Sequence, residues 1–175
     1  MPPATRADVK EISDTARETI RSFEEVVWAI NPRNDTLADL AHYLCRYAED
    51  FFEGSLIQTM FDLPSEIPPM PLPTESRHQV FLAAKEALSN ALKYSNGRQL
   101  CIHLCLEPKE FAFVIEDDGC GFDSDAPVKR ARGGNGLQNM RERLEAIGGR
   151  MECLSRPGQG TRIVFHVPLR PAALE

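Results

Sequence analysis

Three polar residues on one predicted helix have the types and the spacing of a site for a metal-bound phosphate. Glu86, Asn90 and Lys93 follow one another at intervals of four and three residues, so they stack on a single helix face. An amide oxygen is a neutral hard ligand for Mg²⁺, and a lysine supplies positive charge to phosphate. A carboxylate one turn away can orient or deprotonate a nucleophile. The alternative is an ordinary solvated polar face.

A second polar group follows an apolar stretch. Asp117, Gly119 and Gly121 form an Asp-x-Gly-x-Gly run, in which the carboxylate can accept a hydrogen bond from a base amine. The glycines let backbone amides approach a ligand that a side chain would block. Gly134-Asn135-Gly136 then opens an amphipathic helix, whose free N–H groups and positive dipole end suit phosphate. The stretch predicts a nucleotide pocket with a mobile flap, although a plain hairpin turn also explains the Asp-Gly run.

The elements that must position these residues can be inferred from the hydrophobic pattern and the turn residues. The predicted helices are 5–30, 35–54 with Asp35 as its cap, 74–94 with Thr74 as its cap, and 136–147. The predicted strands are 55–62, 99–106, 111–116, 150–155 and 161–167. A connector with five prolines at 63–73 separates the first strand from the third helix. This order predicts an α/β fold in which helices cover one face of a mixed sheet.

The first helix carries a single narrow apolar stripe on an otherwise charged surface. Its apolar residues recur at spacings of three and four, namely Val9, Ile12, Ala16, Ile20, Phe23, Val27 and Ile30. Such a stripe is typical of a helix from a bundle or a coiled coil, and the alternative is a helix packed on its own domain.

Composition limits the classes of function. The chain has 175 residues, 42% of them hydrophobic, and a net charge of −6, which is typical of one soluble domain and gives no support for a general nucleic-acid surface. No apolar run approaches the length of a membrane span. The five cysteines include no Cys-x-x-Cys pair, which argues against a disulfide framework and favours a reducing cytoplasm.

Four motifs in a fixed order resemble the N, G1, G2 and G3 boxes of the ATP-binding domain shared by sensor histidine kinases, gyrases, heat-shock chaperones and mismatch-repair ATPases. They are Glu86-x3-Asn90-x2-Lys93, Asp117-x-Gly119-x-Gly121, Gly134-x-Gly136-Leu137 and Gly158-Gln159-Gly160-Thr161. The resemblance covers about residues 36–170 and implies the two-layer α/β sandwich known as the Bergerat ATP-binding fold, preceded here by one long helix.

The residues in and around these motifs most resemble those of the nitrate-sensor and propeller-sensor type of bacterial two-component kinase. Residues 26–35 resemble the end of the second helix of the dimerisation and phosphoacceptor module in that group. The resemblance therefore implies two regions, a truncated dimerisation helix at 1–33 and a catalytic ATP-binding domain at 34–175.

The resemblance also implies roles for individual residues. Asn90 would hold Mg²⁺, Lys93 would approach phosphate, and Glu86 would assist phosphoryl transfer. Asp117 would accept from the adenine amino group, with Thr161 bonding near it directly or through water. The remaining positions would shape the pocket and hinge the lid, namely Gly119, Gly121, Gly134 and Gly136, with Leu137 counted among the nucleotide-binding residues.

The implied function is that of a histidine kinase catalytic fragment that binds ATP and Mg²⁺. None of His42, His78, His103 and His166 has the His-Asp or His-Glu context of a phosphoacceptor. The γ-phosphoryl would therefore pass to a His on an upstream helix absent from this chain, and then to a response regulator receiver domain. The parent protein would form a homodimer through the N-terminal helix, and this part would be cytoplasmic even if the parent is membrane-anchored.

Two other interpretations stay open at this point. An anti-sigma-type serine kinase of the same superfamily would phosphorylate a partner protein and would need no dimerisation helix. A non-catalytic interaction module would use nucleotide only to order its flap.

Overall fold

The structure is a computed structural model that describes residues 15–16, 27–28, 31, 35–123 and 135–169. The chain divides into two compact units, Met1–Asn34 and Asp35–Glu175. In the first unit, the described residues at 15–16 and 27–28 are helical, and the rest of the predicted helix 5–30 lies outside the described residues. Residues 124–134, which include most of the predicted flap between Gly121 and Gly134, are also outside them.

In the described part of the second unit, three α-helices and five strands alternate along the chain. The elements are α1 (Leu37–Phe52), β1 (Gln58–Asp62), α2 (Thr74–Asn90), β2 (Gln99–Leu106), β3 (Glu110–Asp117), α3 (Gly136–Ala146), β4 (Arg150–Ser155) and β5 (Thr161–Pro168). The strands form one sheet in the order β1-β2-β3-β5-β4, in which only β1 and β2 run parallel. The predicted mixed sheet is therefore confirmed.

The alternation of side chains along the strands builds the core on one face of the sheet. Strand register places the odd-numbered residues of β3 and β5 opposite the even-numbered residues of β2. These positions carry large buried apolar side chains: Leu100, Ile102, Leu104, Phe111, Phe113, Ile115, Ile163, Phe165 and Val167. The helices contribute the other half of the core, with Leu37, Leu40, Leu44, Val80, Phe81, Leu88, Met140 and Leu144 all buried.

The opposite face of the sheet carries charged and polar side chains around a few small apolar ones. A small apolar cluster of Ala112, Val114 and Val164 lies beside an ion-pair group at the far end of β3. There Arg150 Nη1 lies 2.8 Å from Glu110 Oε2, and the hydrogen bond from Arg150 is the main reason that the pKa of Glu110 falls to about 2. This face thus needs no helix to cover it.

The beginning of α1 differs from the sequence prediction in its cap. Thr36, rather than Asp35, is the N-cap, and its hydroxyl accepts a hydrogen bond from Asp39 N at 3.2 Å while Thr36 N donates to Asp39 Oδ2 at 3.1 Å. This reciprocal pair is a capping box, which satisfies two backbone donors. Asp35 instead bonds through its backbone, since its carbonyl accepts from Leu72 N at 2.7 Å and ties α1 to the proline-rich connector.

Helix α2 also begins and ends differently from the prediction. Thr74 is its first residue rather than its cap, because Pro73 precedes it as an N-cap with no side-chain hydrogen bond. The α-helical part ends at Asn90, and Ala91–Ser95 form a π-helical turn. The wider turn breaks the 3.6-residue spacing, so Leu92, four residues after the buried Leu88, is 42% exposed.

None of the helices among the described residues has both the length and the apolar character needed to cross a membrane. The five cysteines are all free thiols. Within the part of the chain that the structure describes, no three His, Cys, Asp or Glu side chains form a group that could hold a metal ion.

Candidate functional site

The polar row of α2 faces the beginning of α3. Glu86 and Asn90 are half-buried on α2, and Gly136 is the first residue of α3. A Cβ on Gly136 would clash with Glu86 Oε1 and would lie 3.2 Å from Asn90 Nδ2. The absence of a side chain at Gly136 therefore lets the α3 backbone approach the acid and the amide. The structure brings together three of the predicted site residues here, with Leu137 half-buried next to them.

Lys93 belongs to the π-helical turn rather than to the regular part of α2. Its side chain is exposed, and the turn ends at Asn96, whose φ of 52° reverses the chain. Asparagine tolerates this left-handed conformation better than most residues. Lys93 thus lies one turn beyond Asn90, and its exposed side chain can reach toward a ligand. Gly134, another predicted site residue, lies outside the described residues.

Ser95 joins this end of α2 to the loop after β3. It is buried, and its carbonyl accepts a hydrogen bond from Cys120 N at 2.6 Å. A Cβ on Gly119 would clash with the Ser95 carbonyl oxygen and would lie 2.7 Å from Asp117 Oδ1. Gly119 is therefore required by close packing. The contact between Ser95 and the backbone of Gly119 and Cys120 holds the polar row of α2 near the Asp117 loop.

Asp117 ends β3 and lies between Leu100 of β2 and Thr161 of β5 in the sheet register. Its Oδ1 accepts from Gly119 N at 2.9 Å. Burial raises the pKa of Asp117, and hydrogen bonds from the backbone of Gly119 and Thr161 oppose that rise. A half-buried carboxylate with a raised pKa is typical of a binding position rather than of a solvated turn.

The turn between β4 and β5 packs directly against the Asp117 loop. Gly160 has a φ of +72°, and a Cβ there would clash with the Asp117 carbonyl oxygen. Gly121 has a φ of +57°, and a Cβ there would clash with the Arg156 carbonyl oxygen. Gly158 N donates to Cys120 O at 2.6 Å. The Asp117-x-Gly119-x-Gly121 motif and the Gly158–Thr161 motif therefore form one packed unit.

Replacing Gly160 by Ala is expected to destabilise the protein by about 2–4 kcal/mol, because the new Cβ meets backbone and the positive φ is strained. Gly158 is a matched control, since its φ is +77° but a Cβ there has no neighbour within 4 Å. Gly158→Ala should cost only about 1 kcal/mol of strain. Urea unfolding of both variants measures the difference, and equal losses would show that the contact with Asp117 is unimportant.

Three positioning residues were not predicted from the sequence. Ser95 and Ser155 are buried hydroxyl residues, and Asp118 is an exposed acid beside Asp117. Asp118 Oδ1 accepts from Gln99 N at 2.8 Å and from Arg98 N at 2.7 Å, and these bonds lower the pKa of Asp118. The available signal was the position of Ser155 and Asp118 at strand ends next to turns, where polar side chains bond to backbone.

The contacts therefore define a site with two chemically distinct ends. One end, around Asp117 and Thr161, offers acceptors to a base amine. The other end, around Glu86, Asn90 and Lys93, offers an amide oxygen, an acid and a cation next to the first turn of α3. The donor set at the second end fits Mg²⁺ bound by one or two protein oxygens and by phosphate.

Comparison with known proteins finds similarity to ATPases and to sensor histidine kinases. The family described as histidine kinase-, DNA gyrase B- and HSP90-like ATPase matches residues 75–171. An uncharacterized sensor-like histidine kinase of Chloroflexus aurantiacus is 30% identical over 96% of this chain and 29% of its own length. The sensor protein VraS of Staphylococcus aureus (strain COL) is 35% identical over 59% of this chain and 29% of its own length.

Solved structures share the fold at lower identity. The histidine kinase AdeS of Acinetobacter baumannii has a TM-score of 0.65 and 15% identity, covering 97% of this chain and 88% of that one. The histidine kinase domain of the blue-light activated kinase from Erythrobacter litoralis EL346 has a TM-score of 0.61 and 21% identity, covering 74% and 61% of the two chains. The chain spans 29% of the length of the two curated relatives named above.

Proposed function

The chain belongs to the histidine kinase-, DNA gyrase B- and HSP90-like ATPase family, and from this premise we propose that it is the ATP-binding catalytic part of a sensor histidine kinase. The observation that carries the proposal is the convergence of the motifs. Gly136 packs on Glu86 and Asn90, while Ser95 and Gly160 pack on the Asp117 loop. Residues far apart in sequence thus surround one site with a base-binding end and a phosphate-binding end.

The base-binding end selects adenine. Asp117 accepts a hydrogen bond from the 6-amino group, and Thr161 bonds beside it directly or through water. Gly119, Gly121 and Gly136 shape the pocket by letting backbone pack closely around it, and Gly134 shares the role of shaping the pocket and hinging the lid. Leu137 adds apolar contact at the beginning of α3.

The phosphate-binding end holds the triphosphate for transfer. Asn90 is the protein ligand of Mg²⁺, which, when bound, neutralises charge on the phosphates. Lys93 places a further positive charge near them. The acceptor is a His nitrogen of a longer protein, which forms a bond to the γ-phosphorus as the bond to the β–γ bridging oxygen breaks and ADP leaves. Glu86 takes the proton of that imidazole in the proposed transfer.

The proposal extends to the protein of which this chain is part. Residues 1–33 act as the second helix of a dimerisation and phosphoacceptor module, and 34–175 act as the catalytic domain of the nitrate-sensor and propeller-sensor type. The homodimer forms through the N-terminal helix, the phosphoryl group passes to a response regulator receiver domain, and this part works in the cytoplasm. The apolar stripe of the N-terminal helix and its similarity to relatives of greater length support this arrangement.

A phosphotransfer assay tests the proposal. The chain is incubated with Mg²⁺ and ATP labelled at the γ-phosphate, together with a separate segment that carries the phosphoacceptor His of a relative. We expect label on His, which is stable in alkali and lost in acid. Acid-stable label on serine would favour the serine kinase instead, and nucleotide binding without any transfer would favour the interaction module. Chain omitted and phosphoacceptor His→Gln are the controls.

A further inference from the structure

One hydroxyl at the end of β4 contacts three polar groups around the base-binding end. Ser155, Thr161 and Asp117 lie directly opposite one another across β4, β5 and β3, so their side chains share the helix-covered face of the sheet. Ser155 is buried, with 6% of its surface exposed. Its Oγ lies 2.9 Å from Phe122 N, 2.9 Å from Gly160 O and 3.1 Å from Thr161 Oγ1.

The chemistry of these three neighbours fixes the direction of every hydrogen bond. A serine hydroxyl has one proton to donate and two lone pairs that accept. Phe122 N–H can only donate to it, and the Gly160 carbonyl oxygen can only accept from it. The single proton of Ser155 is therefore used on Gly160, so in the remaining contact Thr161 must donate its own proton to Ser155.

A consequence follows for the face that Thr161 presents to a ligand. Its one proton is directed at Ser155, so the hydroxyl oxygen has only lone pairs left for any other partner. The neighbouring Asp117 carboxylate also accepts. Two adjacent acceptors match the amino group at position 6 of adenine and repel the carbonyl oxygen at position 6 of guanine or hypoxanthine.

We propose that Ser155 is a specificity-determining positioning residue, which orients the Thr161 hydroxyl as an acceptor and thereby favours a 6-amino purine over a 6-oxo purine. This inference rests on the proposed function, since it assumes that the base lies against Asp117 and Thr161. Ser155 itself need not touch the nucleotide. Without its oxygen, the Thr161 hydroxyl can rotate and donate a proton to a 6-oxo group.

The test compares the dissociation constants of ATP and inosine triphosphate, which differ in the amino or oxo group at position 6. In Ser155→Ala, we expect the preference for ATP over inosine triphosphate to fall about 10-fold. Ser155→Thr keeps a hydroxyl on the same strand and should restore the preference. If Ser155 acted only in folding, Ser155→Ala would weaken the binding of both nucleotides by the same factor. An unchanged ratio of the two dissociation constants would therefore overturn the inference.

A double-mutant cycle with Thr161 provides a second test, which does not depend on the Ser155→Ala variant alone folding correctly. Thr161→Val removes the hydroxyl that Ser155 orients and keeps the branched shape of the side chain. In that background, Ser155→Ala should leave the ratio unchanged, and a further change of about 10-fold there would contradict the proposed route through Thr161. A parent chain that fails to bind ATP would remove the proposed function and the inference together, whereas ATP binding with an insensitive ratio would remove the inference alone.

Discussion

Replacing Asp117 by Asn is expected to weaken ATP binding by about 1–3 kcal/mol, which is roughly 5- to 150-fold in affinity. The Asn carbonyl oxygen can keep the hydrogen bond from Gly119 N that Asp117 Oδ1 now accepts at 2.9 Å. The amide NH₂ then replaces the second carboxylate oxygen, so a donor faces the donor at position 6 of adenine. Isothermal titration calorimetry with ATP and Mg²⁺ measures the loss.

The same substitution should make the ligand-free protein more stable at neutral pH. Burial raises the pKa of Asp117 in the folded state, so folding favours the protonated acid. The contribution of Asp117 to stability is therefore complete below the ordinary pKa of an aspartate and is lost as pH rises through the raised folded value. The Asp117→Asn variant lacks this dependence, and thermal unfolding of both proteins across a pH series that begins below the ordinary pKa of an aspartate checks the difference.

Asp118→Asn is the matched control for the affinity measurement. Asp118 is an exposed acid whose Oδ1 accepts from the backbone of Arg98 and Gln99, and an Asn oxygen can accept the same bonds. We expect its ATP affinity to stay close to that of the parent. Equal losses of affinity in the two variants would indicate a general charge effect and would contradict a base contact at Asp117.

Replacing Asn90 by Ala is expected to remove the gain in ATP affinity that Mg²⁺ provides, a loss of at least about 10-fold. Asn90 supplies the neutral oxygen proposed as the protein ligand of the metal, and Ala supplies none. Binding of ATP without Mg²⁺ should change little, because the base-binding end is untouched. Calorimetric titrations with ATP in Mg²⁺ and in EDTA separate the two contributions.

The stability of the Asn90→Ala variant shows whether a loss of binding could come from unfolding instead of from the missing ligand. Asn90 is the last residue of α2, and Ala has a higher helix propensity than Asn, so the variant should unfold at the same temperature or higher. Asn139→Ala, at an exposed position of α3, removes an amide away from the polar row of α2 and should keep the full response to Mg²⁺. A Mg²⁺ response that survives in Asn90→Ala would contradict the assignment of the metal ligand.

The sequence alone was sufficient to predict the strands and a mixed sheet, and it supplied the residues of the candidate site. Alternation of apolar residues in 99–106 and 111–116 predicted β2 and β3, because one face of an antiparallel pair must be buried. The spacing of Glu86 and Asn90 predicted a shared helix face, and the Gly-rich runs predicted close backbone approaches. These signals are local: the chemistry that forces each one lies within a few residues of it.

Some details that the sequence did not predict depend on neighbours distant in the chain, although the capping box of Thr36 and Asp39 is local. The cap of α1 is Thr36 because Asp39 completes its capping box while the backbone of Asp35 pairs with the connector. Leu92 is exposed because the π-helical turn lets Ser95 bond to Cys120. Periodicity describes a regular helix, so it cannot register a turn that tertiary contacts have widened.

What the sequence by itself determined is therefore the identity of the elements and the residue types at each end of the site. Only the tertiary structure decided which of them touch: Gly136 against Glu86 and Asn90, Gly160 against Asp117, and Ser155 against Thr161. The physical reason is that a glycine without a side chain or a hydroxyl with one proton permits many partners. Packing in the folded protein leaves each of these glycines and hydroxyls with one arrangement.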